Sequence, residues 1–200
     1  EKVREEFALY SDPLTFYRET LIYCYHGPAY FMEGIKRPYY AVLLNDTANM
    51  DTSILDYGCG AGDDGLLFAS LGYNVSMADF RSVSLSFAAW RSLRRGHWMD
   101  FYNIGEDEIP RQNVVWCMDV LEHLPPAEQP KLIDTLAPLG MSVYINLVND
   151  PEADGKLHYP VDIPGLTNYA LSRWQTYYAD CYEGRVRLLI INTTKGPSDA

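Results

Sequence analysis

The sequence predicts an α/β fold in which helices wrap a mostly parallel sheet, and three observations point to it. From residue 53 onward, short apolar runs alternate with helix-like stretches, the pattern that right-handed crossovers impose on a parallel sheet. The first run, Ser53-Ile54-Leu55-Asp56-Tyr57, passes through Gly58-Cys59-Gly60-Ala61-Gly62 into Asp63-Asp64, which reads as a buried strand, a sharp turn and a helix start. Near the end, Tyr177–Tyr182 and Arg185–Thr193 flank Glu183-Gly184 and read as two strands around a tight turn, an antiparallel hairpin added to the sheet.

In chain order, residues 1–50 stand apart as an N-terminal helical cap, and residues 51–200 form the core, the whole making one structural domain. Ser11-Asp12-Pro13 is a helix start with Pro at the first helical position, and the helix is expected to run to about Tyr25, where Gly27-Pro28 breaks it. A further helix follows Pro38 through Leu44. The cap is rich in tyrosine (Tyr10, Tyr17, Tyr23, Tyr25, Tyr30, Tyr39, Tyr40), which packs an apolar ring and leaves a hydroxyl for the surface or a pocket. In the core, strands are expected near 53–58, 74–79, 97–103, 113–119 and 141–147, and helices near 63–71, 84–94 and 127–137. With the terminal hairpin this makes seven strands. Residues 150–167 read as a long loop.

Composition narrows the function classes. The hydrophobic fraction, 48%, is that of a globular protein. No apolar run reaches the roughly 18–20 residues of a membrane span, and EKVREEF does not have the form of a signal peptide. Cys24, Cys59, Cys117 and Cys181 lie far apart without a C-x-x-C pair, so all four are expected to be reduced and the protein cytoplasmic. A net charge of −11 lacks the basic footprint that phosphate backbones require, which disfavours nucleic acid and favours a small-molecule partner. Arg91, Arg94 and Arg95 form the one tight basic cluster, read as a solvated helix end complementing the dipole.

The glycine turn suits a nucleotide-like ligand. A dinucleotide fingerprint needs glycines at its first, third and sixth positions, and only the frame Gly60, Gly62, Gly65 supplies them. That frame puts Asp63 and Asp64 inside the phosphate-binding turn, where anion binding wants bare N–H groups and no competing negative charge. The ligand is therefore expected to lack phosphate. S-adenosylmethionine, with adenosine, a sulfonium and an amino-acid tail, fits.

The segment Ile54-Leu55-Asp56-Tyr57-Gly58-Cys59-Gly60-Ala61-Gly62 resembles motif I of the class I S-adenosylmethionine-dependent methyltransferases. Asn74–Asp79 resembles the second strand of that superfamily, and Val114–Leu124 its fourth-strand motif. The three matches come in order and cover about residues 50–150. The resemblance implies a Rossmann-like seven-stranded, mostly parallel sheet with helices on both faces, the last strand antiparallel, and N-terminal helices that lid the cofactor and help form the acceptor pocket.

It also implies roles, residue by residue. Asp56 reaches the methionine ammonium while the backbone of Gly58, Cys59, Gly60 and Gly62 lines the tail. Asp79, 19 residues beyond Gly60, accepts from both ribose hydroxyls, with Phe80 beside it. At the third strand the family often has an acid for the adenine amino group; here Asp100 comes early, and Asn103 aligns, offering its amide oxygen instead. Asp119 completes the cofactor set. His123 and His158 are the candidate general bases, His158 ahead because it lies on the long loop, while His26 and His97 read as structural.

The function expected is methyl transfer from S-adenosylmethionine to oxygen or nitrogen of a small molecule, by in-line displacement. No Asn/Asp-Pro-Pro-Tyr motif follows the fourth strand, against amino-methylation of DNA bases. Two alternatives stand beside it. Asp119, Glu122, His123 and His158 mimic the metal-ligand set of methyltransferases that modify RNA 3′ ends, although the first acid there is Glu. The other is a non-catalytic module that keeps S-adenosylmethionine binding without turnover.

Overall fold

A computed structural model describes residues 2–10, 12–47, 51–148, 157–181 and 186–197. The chain forms two compact units, Glu1–Ile109 and Pro110–Ala200.

The first unit begins with four helices, α1 (Lys2–Phe7), α2 (Pro13–Glu19), α3 (Tyr23–Glu33) and α4 (Arg37–Thr47), and continues β1 (Ser53–Tyr57), α5 (Asp63–Ser70), β2 (Asn74–Asp79), α6 (Val83–Arg94) and β3 (Asp100–Asn103). The expected helix start stands: Asp12 caps α2, its Oδ1 accepting from Thr15 N at 2.9 Å, while Ser11 lies outside the described residues. The expected break at Gly27-Pro28 does not occur. α3 runs through both, and the chain breaks earlier, where Thr20 turns extended (ψ 139°). There the Thr20 hydroxyl donates to Glu6 and accepts from Ile22 N, so side-chain bonds replace the helical ladder. The cap folds around Phe16, which is fully buried and edge-on to Phe7, Tyr10, Tyr17 and Tyr23.

β1, β2 and β3 pair in parallel, with Tyr57 opposite Ala78 and Asp79 opposite Asn103. This register lines up the carboxyl ends of the three strands, where open α/β sheets bind ligands. β3 is shorter than the expected 97–103 because Ser92 accepts His97 N–H with its carbonyl and donates its hydroxyl to the His97 carbonyl, wrapping that segment onto the end of α6.

The second unit comprises β4 (Gln112–Cys117), a 3₁₀ turn (Leu121–His123), α7 (Gln129–Leu136), a second 3₁₀ turn (Ala137–Leu139), β5 (Gly140–Val148), α8 (Ile163–Leu171), β6 (Gln175–Cys181) and β7 (Val186–Asn192). β5 pairs parallel with β4 and antiparallel with β7, and β7 pairs antiparallel with β6. The hairpin strands are as expected; the turn at Glu183-Gly184 lies outside the described residues. The loop expected over 150–167 is shorter than that. Its part at 149–156 lies outside the described residues, and 163–167 open α8, whose start signal was legible: Asp162 accepts from Gly165 N at 3.0 Å, with Pro in the first turn.

The seven strands run in the order β3-β2-β1 in the first unit, all parallel, and β4-β5-β7-β6 in the second, parallel apart from β7. Among the described residues no helix is long and apolar enough to cross a membrane.

Candidate functional site

In the first unit the chain leaves β1 through three glycines in the left-handed region, Gly58, Gly60 and Gly62 (φ 73°, 52° and 77°). Gly62 is required twice, since a Cβ there would also lie 2.9 Å from Ala88 Cβ and from Met77 Sδ. Gly60 differs: a Cβ there would meet nothing within 4 Å. Side-chain crowding does not require the glycine at 60; its left-handed φ favours glycine, and the space beside its Cα is open. The turn is tied to β2 by Gly58 N and Cys59 N, both donating to the Ala78 carbonyl (2.8 and 3.1 Å).

Two carboxylates face this turn. Asp79 Oδ2 accepts from Gly60 N and Oδ1 from Phe80 N, both at 2.6 Å. Asp79 keeps an opening to solvent, yet desolvation outweighs those two bonds and lifts its carboxyl to about 6. Asp56 is buried beneath the turn, and its Oδ2 accepts from Gly65 N at 2.8 Å. Burial first, and then the nearby charge of Asp64, pushes its carboxyl well above the usual range. Cys59, beside both acids, has its thiol raised by burial and by their charge, so it stands as a neutral small side chain.

A phosphate is disfavoured at this turn, but not by bare charge on Asp63 and Asp64 as expected. Asp63 and Asp64 do not project bare charge into the turn. Asp63 pairs with Arg91 (2.5 Å), whose other nitrogen donates to the Ala61 carbonyl, and Asp64 pairs with Lys36 (3.0 Å) and Tyr40 (2.7 Å). What disfavours an anion is Asp56, which occupies the Gly65 N–H at the start of α5. α3 closes on the same turn: a Cβ on Gly27 would lie 3.3 Å from Asp63 and 3.6 Å from Ala61.

At the end of β3, Asn103 donates both its backbone N–H and its Nδ2 to Asp107 Oδ2 (2.7 and 3.0 Å). Asp56, Asp79, Phe80 and Asn103 therefore lie at neighbouring strand ends, as expected, with Gly58–Gly62 as the turn.

In the second unit β4 ends at Cys117, short of the expected 119, and Asp119 takes a left-handed backbone (φ 56°). Its N–H donates to Asn146 Oδ1 (2.8 Å), and Asn146 Nδ2 donates back to its carboxylate (2.7 Å). The two histidines singled out from different segments come together, their rings 4.8 Å apart, edge to face. His123 Nδ1 lies 2.9 Å from the Leu157 carbonyl, which only accepts, so Nδ1 carries the proton and Nε2 keeps a lone pair. Burial lowers His123 to about 4, further aided by His158 and opposed by Leu157 and Asp119. Segment 157–160 is also held by Tyr159 N to the Glu122 carbonyl (2.7 Å) and by Gln129, which donates to the Leu124 and Pro160 carbonyls (3.0 and 3.1 Å). The metal-ligand set does not assemble: among the described residues no group of three or more His, Cys, Asp or Glu is placed to hold an ion.

Sequence reasoning missed Lys36, Arg91, Asp107, Gln129 and Asn146. Each acts through a partner distant in sequence or through backbone, which no local motif records.

No protein-family model matches the chain. It is 33% identical over 103 residues to the ubiquinone biosynthesis O-methyltransferase of Paraburkholderia xenovorans and 34% identical over 107 residues to that of Aeromonas salmonicida. These matches take in 48% and 50% of this chain but 44% and 45% of the relatives, so the chain matches under half their length. Its fold is shared with the PH0226 protein of Pyrococcus horikoshii (TM-score 0.66, 14% identity, 80% of this chain and 90% of that one). It is shared too with magnesium protoporphyrin IX methyltransferase of Synechocystis, solved with bound SAM (TM-score 0.60, 19% identity, 77% and 76%). The chain has the class I methyltransferase fold and shares sequence with named O-methyltransferases.

Proposed function

We propose that this chain binds S-adenosylmethionine at the glycine turn of its first unit and transfers the methyl group to a small-molecule acceptor. The names of its sequence relatives favour oxygen over nitrogen as the acceptor atom. The observation that carries the reading is Asp79 at the end of β2, whose carboxylate accepts from Gly60 N and Phe80 N beside the open face of the glycine turn. A ribose diol needs two acceptor oxygens beside exposed backbone, and Asp79 offers both.

In this reading Asp79 would hold the ribose, with Phe80 beside it, Asn103 the adenine, and Asp56 with the Gly58–Gly62 backbone, Cys59 included, the amino-acid tail. Asp119 is the further proposed cofactor contact. The cofactor supplies a methyl carbon already activated by its sulfonium. The protein then has to position the acceptor, exclude water and take a proton from the acceptor hydroxyl. His158 and His123 are the proposed proton acceptors, and His123 presents an unprotonated Nε2 for that task.

Asp79→Ala tests the cofactor assignment. Calorimetry should show S-adenosylhomocysteine binding weakened by about 2 kcal/mol, the scale of lost charge-assisted hydrogen bonds. Unchanged affinity in a folded variant would remove Asp79 from the site. Binding without turnover across phenolic and catecholic acceptors would support the non-catalytic module instead.

The sign of the pH dependence follows from Asp79. Its folded value, about 6, stands above the ordinary 3.8, so its contribution to stability is full below 3.8 and is lost as pH rises through 6. A ribose diol donates to the ionised form. Binding measured just below pH 6 should therefore release a proton, and affinity should fall as pH drops through 6. Affinity flat between pH 5 and 7 would contradict this.

A further inference from the structure

At the end of β3, Asn103 is paired with Asp107. Asn103 stands where an acid is the commoner choice, and a carboxamide differs from a carboxylate in having two unlike edges, one accepting and one donating. Left free, it rotates to offer either. Here it is not free: its Nδ2 edge is bonded to Asp107 Oδ2 at 3.0 Å, and its backbone N–H holds the same oxygen at 2.7 Å. The loop between closes on itself, with Glu106 N and Asp107 N both donating to the Asn103 carbonyl (3.1 and 3.0 Å) and Gly105 in the left-handed region (φ 83°). A carboxylate oxygen only accepts, so the edge facing Asp107 has to be the nitrogen. Because the two edges of a planar amide diverge, Oδ1 is turned away from Asp107.

We propose that Asp107 is a positioning residue that fixes the Asn103 carboxamide with its oxygen outward, so that the pair reads a purine with a 6-amino group and rejects a 6-oxopurine; this rests on the cofactor assignment above. The two bonds from Asn103, backbone first, also hold the Asp107 carboxyl below its usual range, so the lock persists through the neutral and mildly acidic range. Asp107 does the work that a direct acid would do alone: it converts a two-faced amide into a one-way acceptor.

The test compares S-adenosylhomocysteine with S-inosylhomocysteine, in which the 6-amino donor is replaced by a carbonyl acceptor, by calorimetry on the full chain. The native protein should bind the inosyl ligand roughly 10- to 100-fold more weakly, since two acceptors would face each other. In Asp107→Ala the freed amide turns its Nδ2 to the 6-oxo group, and the two ligands should come within about threefold of each other. Adding Asn103→Asp to Asp107→Ala should restore the preference, because a carboxylate has no donor edge to turn. A loop that merely folds differently would not give that recovery. The assignment is overturned if Asp107→Ala keeps the native ratio at an unchanged melting temperature, or if the native protein binds both ligands equally. Absence of S-adenosylhomocysteine binding in the native protein would instead overturn the cofactor reading, and this assignment with it.

Discussion

Replacing Arg91 by Met is expected to cost the first unit about 3–5 kcal/mol, the cost of leaving one partner of a buried ion pair without the other. Arg91 is 8% exposed, and its guanidinium spans two acceptors at 2.5 Å, Asp63 Oδ1 and the Ala61 carbonyl, while its face lies over Phe87. Methionine keeps most of the stem but strands a carboxylate and a carbonyl in the glycine turn. Denaturant unfolding should show a lower midpoint with little change in slope. The double variant Arg91→Met/Asp63→Leu should recover much of the loss, because no charge is then left buried. A loss below about 1 kcal/mol would mean that water reaches Asp63 and that the pair is of the weak surface kind.

Arg91 also marks the limit of what could be read from sequence. Arg91, Arg94 and Arg95 look alike on the chain, and all three read as a solvated helix end. Arg94 and Arg95 are exposed, but Arg91 lies three residues back on the inward face of α6, where the helix meets the turn after β1. Which arginine turns inward depends on packing between elements 28 residues apart, and local pattern is silent on that. The same holds for Lys36 and Tyr40 against Asp64.

Period and punctuation, by contrast, carried well. The buried runs of β1, β2, β4 and β5 and the glycine turn between β1 and α5 were legible because a parallel strand buried on both faces leaves an unbroken apolar signature. Gly27-Pro28 misled for a physical reason. Pro28 is the sixth of the eleven residues of α3, where proline forfeits one helical bond and crowds the preceding turn. Yet the helix continues through it, packed closely at Gly27, whereas the Thr20 side chain ended α2 without any breaker residue. Asp56 and Asp79 were legible as candidates because they sit at strand ends; Asp107 and Asn146, bonded to Asn103 and Asp119, were not.

The second large effect concerns the two histidines of the second unit. If one of them takes the acceptor proton, its loss should lower turnover roughly 100-fold or more while leaving S-adenosylhomocysteine affinity nearly unchanged. Their contact makes simple truncation ambiguous, because removing His123 also removes one of the bonds that hold the segment bearing His158. His123→Asn separates the two roles: its amide nitrogen can still donate to the Leu157 carbonyl, but it offers no basic lone pair. Full activity in His123→Asn with loss in His158→Ala would make His123 the residue that positions and His158 the one that takes the proton. The pH profile gives an independent reading. With its value pushed to about 4, His123 is already unprotonated across the neutral range, so a rate that depends on it should be level from about pH 5.5 to 8. An inflection inside that window would exclude His123 as the titrating base. Turnover that survives removal of both rings would leave positioning, acting on an acceptor already nucleophilic at neutral pH, as the main source of rate.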